Sequence, residues 1–330
     1  MKNILSLIFT ISFVLLNTKI AIALEMGIVT GGKSGTYIKI GQNISELVSK
    51  HNINLNVYPS KGSLQNAQDV FNRPGVQLGI VQSDVLYFIQ SVNNDFKLKK
   101  IARKLRMIFP LYNEEIHILA NQNISEFDDL QGKRVAVGSD GSGTWLTSSF
   151  LFNISEVTPS HKVPLSGKKA LNALKNNEID AMIYVAGFPI SLFDKEVSGD
   201  DKLHLVPILN KDIREWYPVS KIPANTYKWN PEEIDTVAVK ATLITYNYRN
   251  KGCRDVGNLA KIVYQNFSEL LNNGHNKWGE VDLDASLKGW KQYECVTNKI
   301  HNTNTNTNNN ANMPTNDVSR AVYDILKNMK

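Results

Sequence analysis

The chain has 330 residues, 42% hydrophobic and 21% charged, with a formal charge of +6 at pH 7. That length exceeds one compact core, and the mildly basic balance implies no nucleic-acid partner. The densest positive run, Lys97, Lys99, Lys100, Arg103, Lys104 and Arg106, lacks the aromatic platforms that nucleic-acid binders interleave.

Taken in order, Met1-Lys2-Asn3, the apolar run Ile4 to Leu16 and Ala21-Ile22-Ala23 give a charged start, a hydrophobic centre and a small-x-small site. Residues 1–23 are therefore expected to be a signal peptide cleaved near Ala23, placing the product in the periplasm. An anchoring helix is the alternative, but Asn17, Thr18 and Lys19 interrupt the run short of the ~20 residues a span requires. Export exposes the two cysteines, Cys253 and Cys295, to oxidising conditions. One disulfide is expected, against the alternative of two buried thiols; neither cysteine has the neighbours of a metal site or an activated thiol.

The mature chain opens with an apolar strand pattern, Leu24 to Thr30, then the loop Gly31-Gly32-Lys33-Ser34-Gly35-Thr36-Tyr37 and a helix over Tyr37–Ser49 with the stripe Ile40, Ile44, Leu47 and Val48. Ile53 to Tyr58 is a second strand, running into Pro59-Ser60-Lys61-Gly62-Ser63, where Ser63 is placed to cap a helix through Val70. Val76 to Val81 is a third, ending in Gln82-Ser83-Asp84. The basic run that follows is solvated surface or a dock for a membrane protein.

The same order returns about a hundred residues on. Lys133 to Val137 leads into Gly138-Ser139-Asp140-Gly141-Ser142-Gly143-Thr144-Trp145, His161 to Leu165 into Ser166-Gly167 and a helix over Lys168–Lys175, and Ile179 to Val185 into Ala186-Gly187-Phe188-Pro189. This alternation predicts an α/β protein of two lobes with one topology, each a parallel-dominated sheet flanked by helices. Glu115 to Ala120 and Thr236 to Tyr246 are extended runs suited to two hinge crossings. Lobe 1 is then 24–114 with 226–300, and lobe 2 is 115–225. Helical stretches around Val256 to Asn272 and the cysteine loop follow. His301 to Asn312 is almost wholly Asn and Thr, so 301–316 reads as a disordered linker. An amphipathic helix over 317–330, with Val318, Val322, Ile325 and Met329 on one face, packs on the body or stays loose.

The Gly/Ser loops fall at the carboxyl ends of strands, where open parallel sheets bind ligands. Glycine loops at helix starts offer backbone N–H groups to a negative partner. The polar groups there, Ser60, Ser63, Gln82, Ser139, Ser142 and Thr144, are neutral hydrogen-bonding types that suit a small carboxylate. Each alone reads more readily as a cap or turn residue, and it is their convergence at one cleft that points to a ligand. Tyr37, Trp145 and Phe188 are candidate apolar walls.

Two enzymatic readings compete. Gly27-x-x-x-x-Gly32-Lys33-Ser34 satisfies the phosphate-loop expression, but that loop needs a strand before its first glycine, and only Leu24, Glu25 and Met26 remain there. Ser139 and Ser142 sit at a strand-to-helix turn without the G-x-S-x-G of a nucleophile elbow, and His51, His117, His161, His204, His275 and His301 are scattered. Asp84 reads as an orienter of neighbouring backbone. No cofactor or metal is implied.

Thr30 to Tyr37, Gly79-Ile80-Val81-Gln82-Ser83-Asp84, Gly138 to Thr144, Asp180-Ala181 with Ala186-Gly187-Phe188-Pro189, and Ile222-Pro223-Ala224-Asn225-Thr226-Tyr227 together resemble the TAXI family, the extracytoplasmic solute-binding subunits of TRAP transporters. The likeness spans about Met26 to Thr297. It implies a two-lobed periplasmic binding protein, type II-like and monomeric, that captures an amino acid such as glutamate, a dicarboxylate or a keto acid and delivers it to an ion-driven permease. The family's ligand loops fall on Gly31, Gly32, Ser34, Gly35, Thr36 and Tyr37; Ser60 and Ser63; Gln82 and Asp84; Ser139, Gly141, Ser142, Gly143 and Thr144; and Ala186, Gly187 and Phe188. Where the family continues its first loop with an aromatic and a proline, this chain has Ile38 and Lys39.

Overall fold

The computed structural model describes residues 23–33, 35–92 and 95–301. The expected leader up to residue 22, Ser34, the Asn/Thr tract from residue 302 and the final helix lie outside the described residues.

In the first lobe, β1 (Leu24–Val29), α1 (Thr36–Ser49), β2 (Ile53–Tyr58), α2 (Ser63–Asn72) and β3 (Leu78–Gln82) follow one another, with β1 parallel to both β2 and β3. The α1 stripe Ile40, Ile44, Leu47 and Val48 is fully buried, as its spacing requires. Gly27 lies inside β1, where a Cβ would stand 2.2 Å from the Gly75 carbonyl oxygen. Close packing, not a phosphate loop, thus accounts for this glycine.

After α3 (Ser83–Tyr87) and α4 (Phe96–Lys104), the long β4 (Leu105–Asn121) carries the chain into the second lobe. There β5 (Arg134–Ala136), α5 (Gly143–Ser155), β6 (His161–Val163), α6 (Gly167–Lys175) and β7 (Ala181–Ala186) repeat the order of the first, with β5 parallel to β6 and β7. Beyond α7 (Ser191–Glu196), β8 (Leu203–Leu205), α8 (Lys211–Trp216) and β9 (Val219–Ile222), β10 (Ile234–Tyr246) returns to the first lobe. The described chain closes with α9 (Asn250–Gln265), α10 (Phe267–Asn273) and α11 (Glu294–His301). His301 thus ends a helix rather than opening the Asn/Thr tract.

The described strands form one ten-stranded sheet, ordered β2-β1-β3-β10-β4-β7-β5-β6 with β8 on β4 and β9 on β10. The parallel-dominated sheets expected for the two lobes are joined by the crossing strands into a single mixed sheet. The outer strands of each lobe are parallel. The two crossing strands run in opposite directions and pair with each other, and β3 and β7 pair antiparallel to them. The β4–β10 ladder carries register shifts between Lys240 and Thr242 and between Leu243 and Ile244, local irregularities that bend and twist such a ribbon. Each lobe has its own core, with Ile28, Ile40, Leu243 and Val256 in one and Ile118, Val135, Ile183 and Val237 in the other.

Cys253 and Cys295 are joined with a Cα separation of 5.4 Å, tying α9 to α11. The helices approach so closely beside this bridge that a Cβ at Gly257 would lie 2.3 Å from the Cys295 carbonyl oxygen. Among the described residues, no helix is long and apolar enough to cross a membrane.

Candidate functional site

A cleft of about 290 Å³ separates the lobes. Gly31, Gly32, Gly35, Thr36, Tyr37, Ser60, Ser63 and Gln82 line it from the first lobe, and Ser139, Ser142, Gly143, Thr144 and Ala186 from the second. Four of the sequence-derived candidates do not reach its walls. Asp84, in the first turn of α3, is occupied: its carboxylate accepts hydrogen bonds from Val85 N at 2.8 Å, Thr147 Oγ1 at 2.6 Å and Tyr217 Oη at 3.3 Å. Gly141 shapes its turn at φ +74°, a left-handed conformation that favours glycine. The Gly187 carbonyl accepts the Thr36 hydroxyl at 3.2 Å, and the Phe188 ring lies under the Lys277 ammonium at 3.7 Å. Of the three candidate aromatic walls only Tyr37 faces the cleft; Trp145 packs against the hydrophobic clusters of both lobes. Lys33 is exposed and not part of the lining.

Helices α1, α2, α5 and α6 all begin at this cleft, with Thr36, Ser63, Gly143 and Gly167 among its lining. The first N–H groups of a helix have no intrahelical acceptor and need a cap, water or a ligand. Ser142 caps α5 by accepting from Trp145 N at 3.1 Å, whereas among the described residues no side chain caps α1, α2 or α6. Ser63 is the first residue of α2 rather than its cap. Its hydroxyl donates to Gln82 Oε1 and accepts from Gln82 N, each at 3.1 Å, so it is engaged with the neighbouring strand end instead. This fixes the Gln82 amide with its Nε2 buried and, among the described residues, without a partner.

Glycine lets the two lobes meet here. A Cβ on Gly143 would stand 1.4 Å from Gln82 Oε1 and 2.9 Å from Ser63 Oγ, and one on Gly62 would stand 3.5 Å from Gly143 N. Other hydroxyls of the candidate set hold the loops: Ser60 Oγ donates to the Thr30 carbonyl at 3.2 Å, Ser139 and Ser166 hydroxyls pair at 2.6 Å, and Thr144 Oγ1 accepts from Val185 N at 3.3 Å. Lys39 Nζ reaches Ser191 Oγ across the lobes at 3.1 Å.

Sequence reasoning missed Glu114 and Tyr184, which also line the cleft. The signal for Glu114 lay in the pair Glu114-Glu115, two adjacent acids inside an otherwise apolar strand run. Glu114 is buried, accepts the Tyr37 hydroxyl at 2.6 Å, and is pushed up to about 8, chiefly by burial, with the Tyr37 bond opposing. Burial likewise raises Asp84 to about 6 against its three donors. His117 is held neutral by burial, down to about 3, with its ring nitrogens 3.0 Å from the Glu115 carbonyl oxygen and the Tyr227 hydroxyl. It is a structural residue of the hinge.

A carboxyl raised in the folded state keeps a proton that the unfolded chain has lost, so stability falls as pH rises toward the folded value. Below about pH 6.5, Asp84 acts in the same direction while His117 and His275, the latter held at about 4, oppose it. Between about pH 6.5 and 8 Glu114 dominates, and the protein is expected to lose up to roughly 1.4 kcal/mol per pH unit. Urea midpoints across that window should become flat in Glu114→Gln; an unchanged slope in the variant removes Glu114 as the cause.

The fold is that of periplasmic binding proteins. The structure of periplasmic binding protein BugD superimposes with a TM-score of 0.50 at 11% identity, covering 77% of this chain and 87% of that one. The Candida albicans CA3427 gene product, described as exhibiting the generic periplasmic binding protein fold, matches at 0.48 and 10% identity over 78% and 81% of the two chains. Tv2483, solved bound to L-arginine, matches at 0.49 and 15% over 80% and 96%. The model of the NMT1-like family matches residues 28–291, a stretch from β1 past the return crossing that includes every lining residue of the cleft, and the chain belongs to that family.

Proposed function

We propose that this protein is an extracytoplasmic solute-binding protein that holds a small carboxylate between its lobes and hands it to an ion-driven permease of the TRAP type. One observation carries the reading: among the described residues no side chain caps α1, α2 or α6, which open on a single cleft beside the Nε2 of Gln82, itself without a described partner. Donors at the positive ends of helices match a carboxylate, and lobe closure strengthens such bonds by removing water. In this reading 24–114 with 226–300 and 115–225 are the two closing bodies. The lining glycines and hydroxyls bind the solute, while Asp84, Gly141, Gly187 and Phe188 shape the walls from behind. Family membership and fold support a binding role, the TAXI-like motifs point to the permease type, and the leader at 1–23 to the periplasm.

A thermal-shift screen of the mature protein should show a raised melting temperature with amino acids, dicarboxylates or keto acids and none with nucleotides. Gly143→Ala puts a methyl group where Gln82 Oε1 now sits and props the lobes apart. Calorimetry should find its affinity lowered at least about a hundredfold, roughly 2.7 kcal/mol. Unchanged affinity in that variant, or silence across the panel, overturns the reading.

A further inference from the structure

The donors of the cleft account for one end of a ligand, and Glu114 is their chemical opposite. It lies on β4, 3% exposed, and lines the same cleft. Its Oε2 accepts the Tyr37 hydroxyl, and among the described residues no donor reaches Oε1 and no cation pairs with the carboxylate. The lysines around it are engaged elsewhere or exposed: Lys277 bonds Glu115 and Glu280, Lys39 bonds Ser191, and Lys61 sits on the rim. A buried carboxylate with a single hydrogen bond is costly.

The Ser63 hydroxyl stands beside the Tyr37 phenol. Glu114, Tyr37, Ser63 and Gln82 therefore form one contiguous run, from an acceptor at one end to a donor without a described partner at the other. Such a run fits a ligand whose carboxylate and ammonium groups are close together. We propose that Glu114 is the counter-ion for an ammonium group of the ligand and selects amine-bearing carboxylates over amine-free ones of the same skeleton; this rests on the carboxylate reading above.

The groups facing Glu114 are Tyr37 from α1, Asp84 from α3, Tyr112 and Glu115 from its own strand, Tyr184 from β7, and Lys277. Burial, helped by the charges of Asp84 and Glu115 and opposed by the Tyr37 bond and Lys277, holds the free carboxyl at about 8, so at pH 7 it carries a proton. An arriving ammonium displaces that proton. Binding therefore releases a proton, and affinity for an amine-bearing ligand rises about tenfold per pH unit up to about pH 8.

The test is calorimetry on the mature protein with paired probes, L-amino acids against the 2-oxo acids of the same skeleton, such as L-glutamate against 2-oxoglutarate. It is run at pH 7 in buffers of different ionisation enthalpy. The expected result is binding at least about a hundredfold tighter for the amine-bearing member, with close to one proton released. Glu114→Gln should erase both the preference and the proton. Equal or tighter binding of the 2-oxo acid, or no proton release with the amino acid, overturns the proposal and leaves the carboxylate reading standing. No binding of either series overturns both. The proton count is read on the unaltered protein, so it holds whether or not the variant folds.

Discussion

Replacing Lys277 with methionine is expected to destabilise the protein by about 3–5 kcal/mol, the cost of stranding one member of a buried ion pair. Lys277 lies in the turn Asn276–Glu280 at 1% exposure, with Nζ 2.8 Å from Glu115 Oε2 and 2.7 Å from Glu280 Oε1. Glu115, on the hinge strand β4, is only 2% exposed. The second lobe is fitted around the lysine stem, since a Cβ at Gly187 would lie 2.8 Å from Lys277 Cε, and the ammonium rests on the Phe188 ring. Burial already raises Glu115 while Lys277 holds it down, so without the lysine its carboxyl takes up a proton more readily. The loss should therefore shrink as pH falls. Converting Glu115 to methionine as well should recover most of the stability, because a well-packed apolar pair is often as stable as a buried ionic one. Chemical denaturation of both single variants and the double one closes the cycle. A single-variant cost below about 1 kcal/mol would show that the pair behaves like an exposed one.

Removing the disulfide by Cys253→Ser with Cys295→Ser should cost about 4 kcal/mol in the chain-entropy model, given the 42-residue separation of the cysteines. For a chain of this size that corresponds to a melting temperature lower by roughly 8 to 16 °C. Val296 and Ile300 of α11 pack in the same core as Val256, Leu259 and Val263 of α9, so the helices have apolar reason to stay docked without the bridge. No residue of either helix lines the cleft. Ligand affinity should accordingly be unchanged in the serine variant under native conditions. A parallel loss of affinity and stability would mean that the clamp reaches the cleft after all.

Much of this architecture was legible because it is written in local patterns. The α1 stripe, the glycine loops and the repeated order of strands and helices depend on residues near one another in the chain. The glycine-rich loops could also be placed at one cleft, since parallel strands put their carboxyl ends on one edge. The hidden part lay in long-range pairing. Ser63 carries the spelling of a cap, but Gln82, nineteen residues away, competes for its hydroxyl and wins. Gly143 reads as a turn glycine, whereas its reason is the Gln82 side chain of the other lobe. Glu114 and Lys277 belong to segments far apart in sequence and show their importance only where the hinge strand passes beneath the cleft. The single mixed sheet followed from the same cause: two crossings that run in opposite directions find each other as partners.

That shared ladder also decides how the two bodies can move. Were the crossings two separate strings, the lobes could swing, slide or part along several independent directions. Bonded side by side through β4 and β10, they form a ribbon that resists shear and stretching but yields to torsion. If the lobes close as proposed, the compliance of this ribbon favours a twist about its long axis over a slide of one lobe along the other.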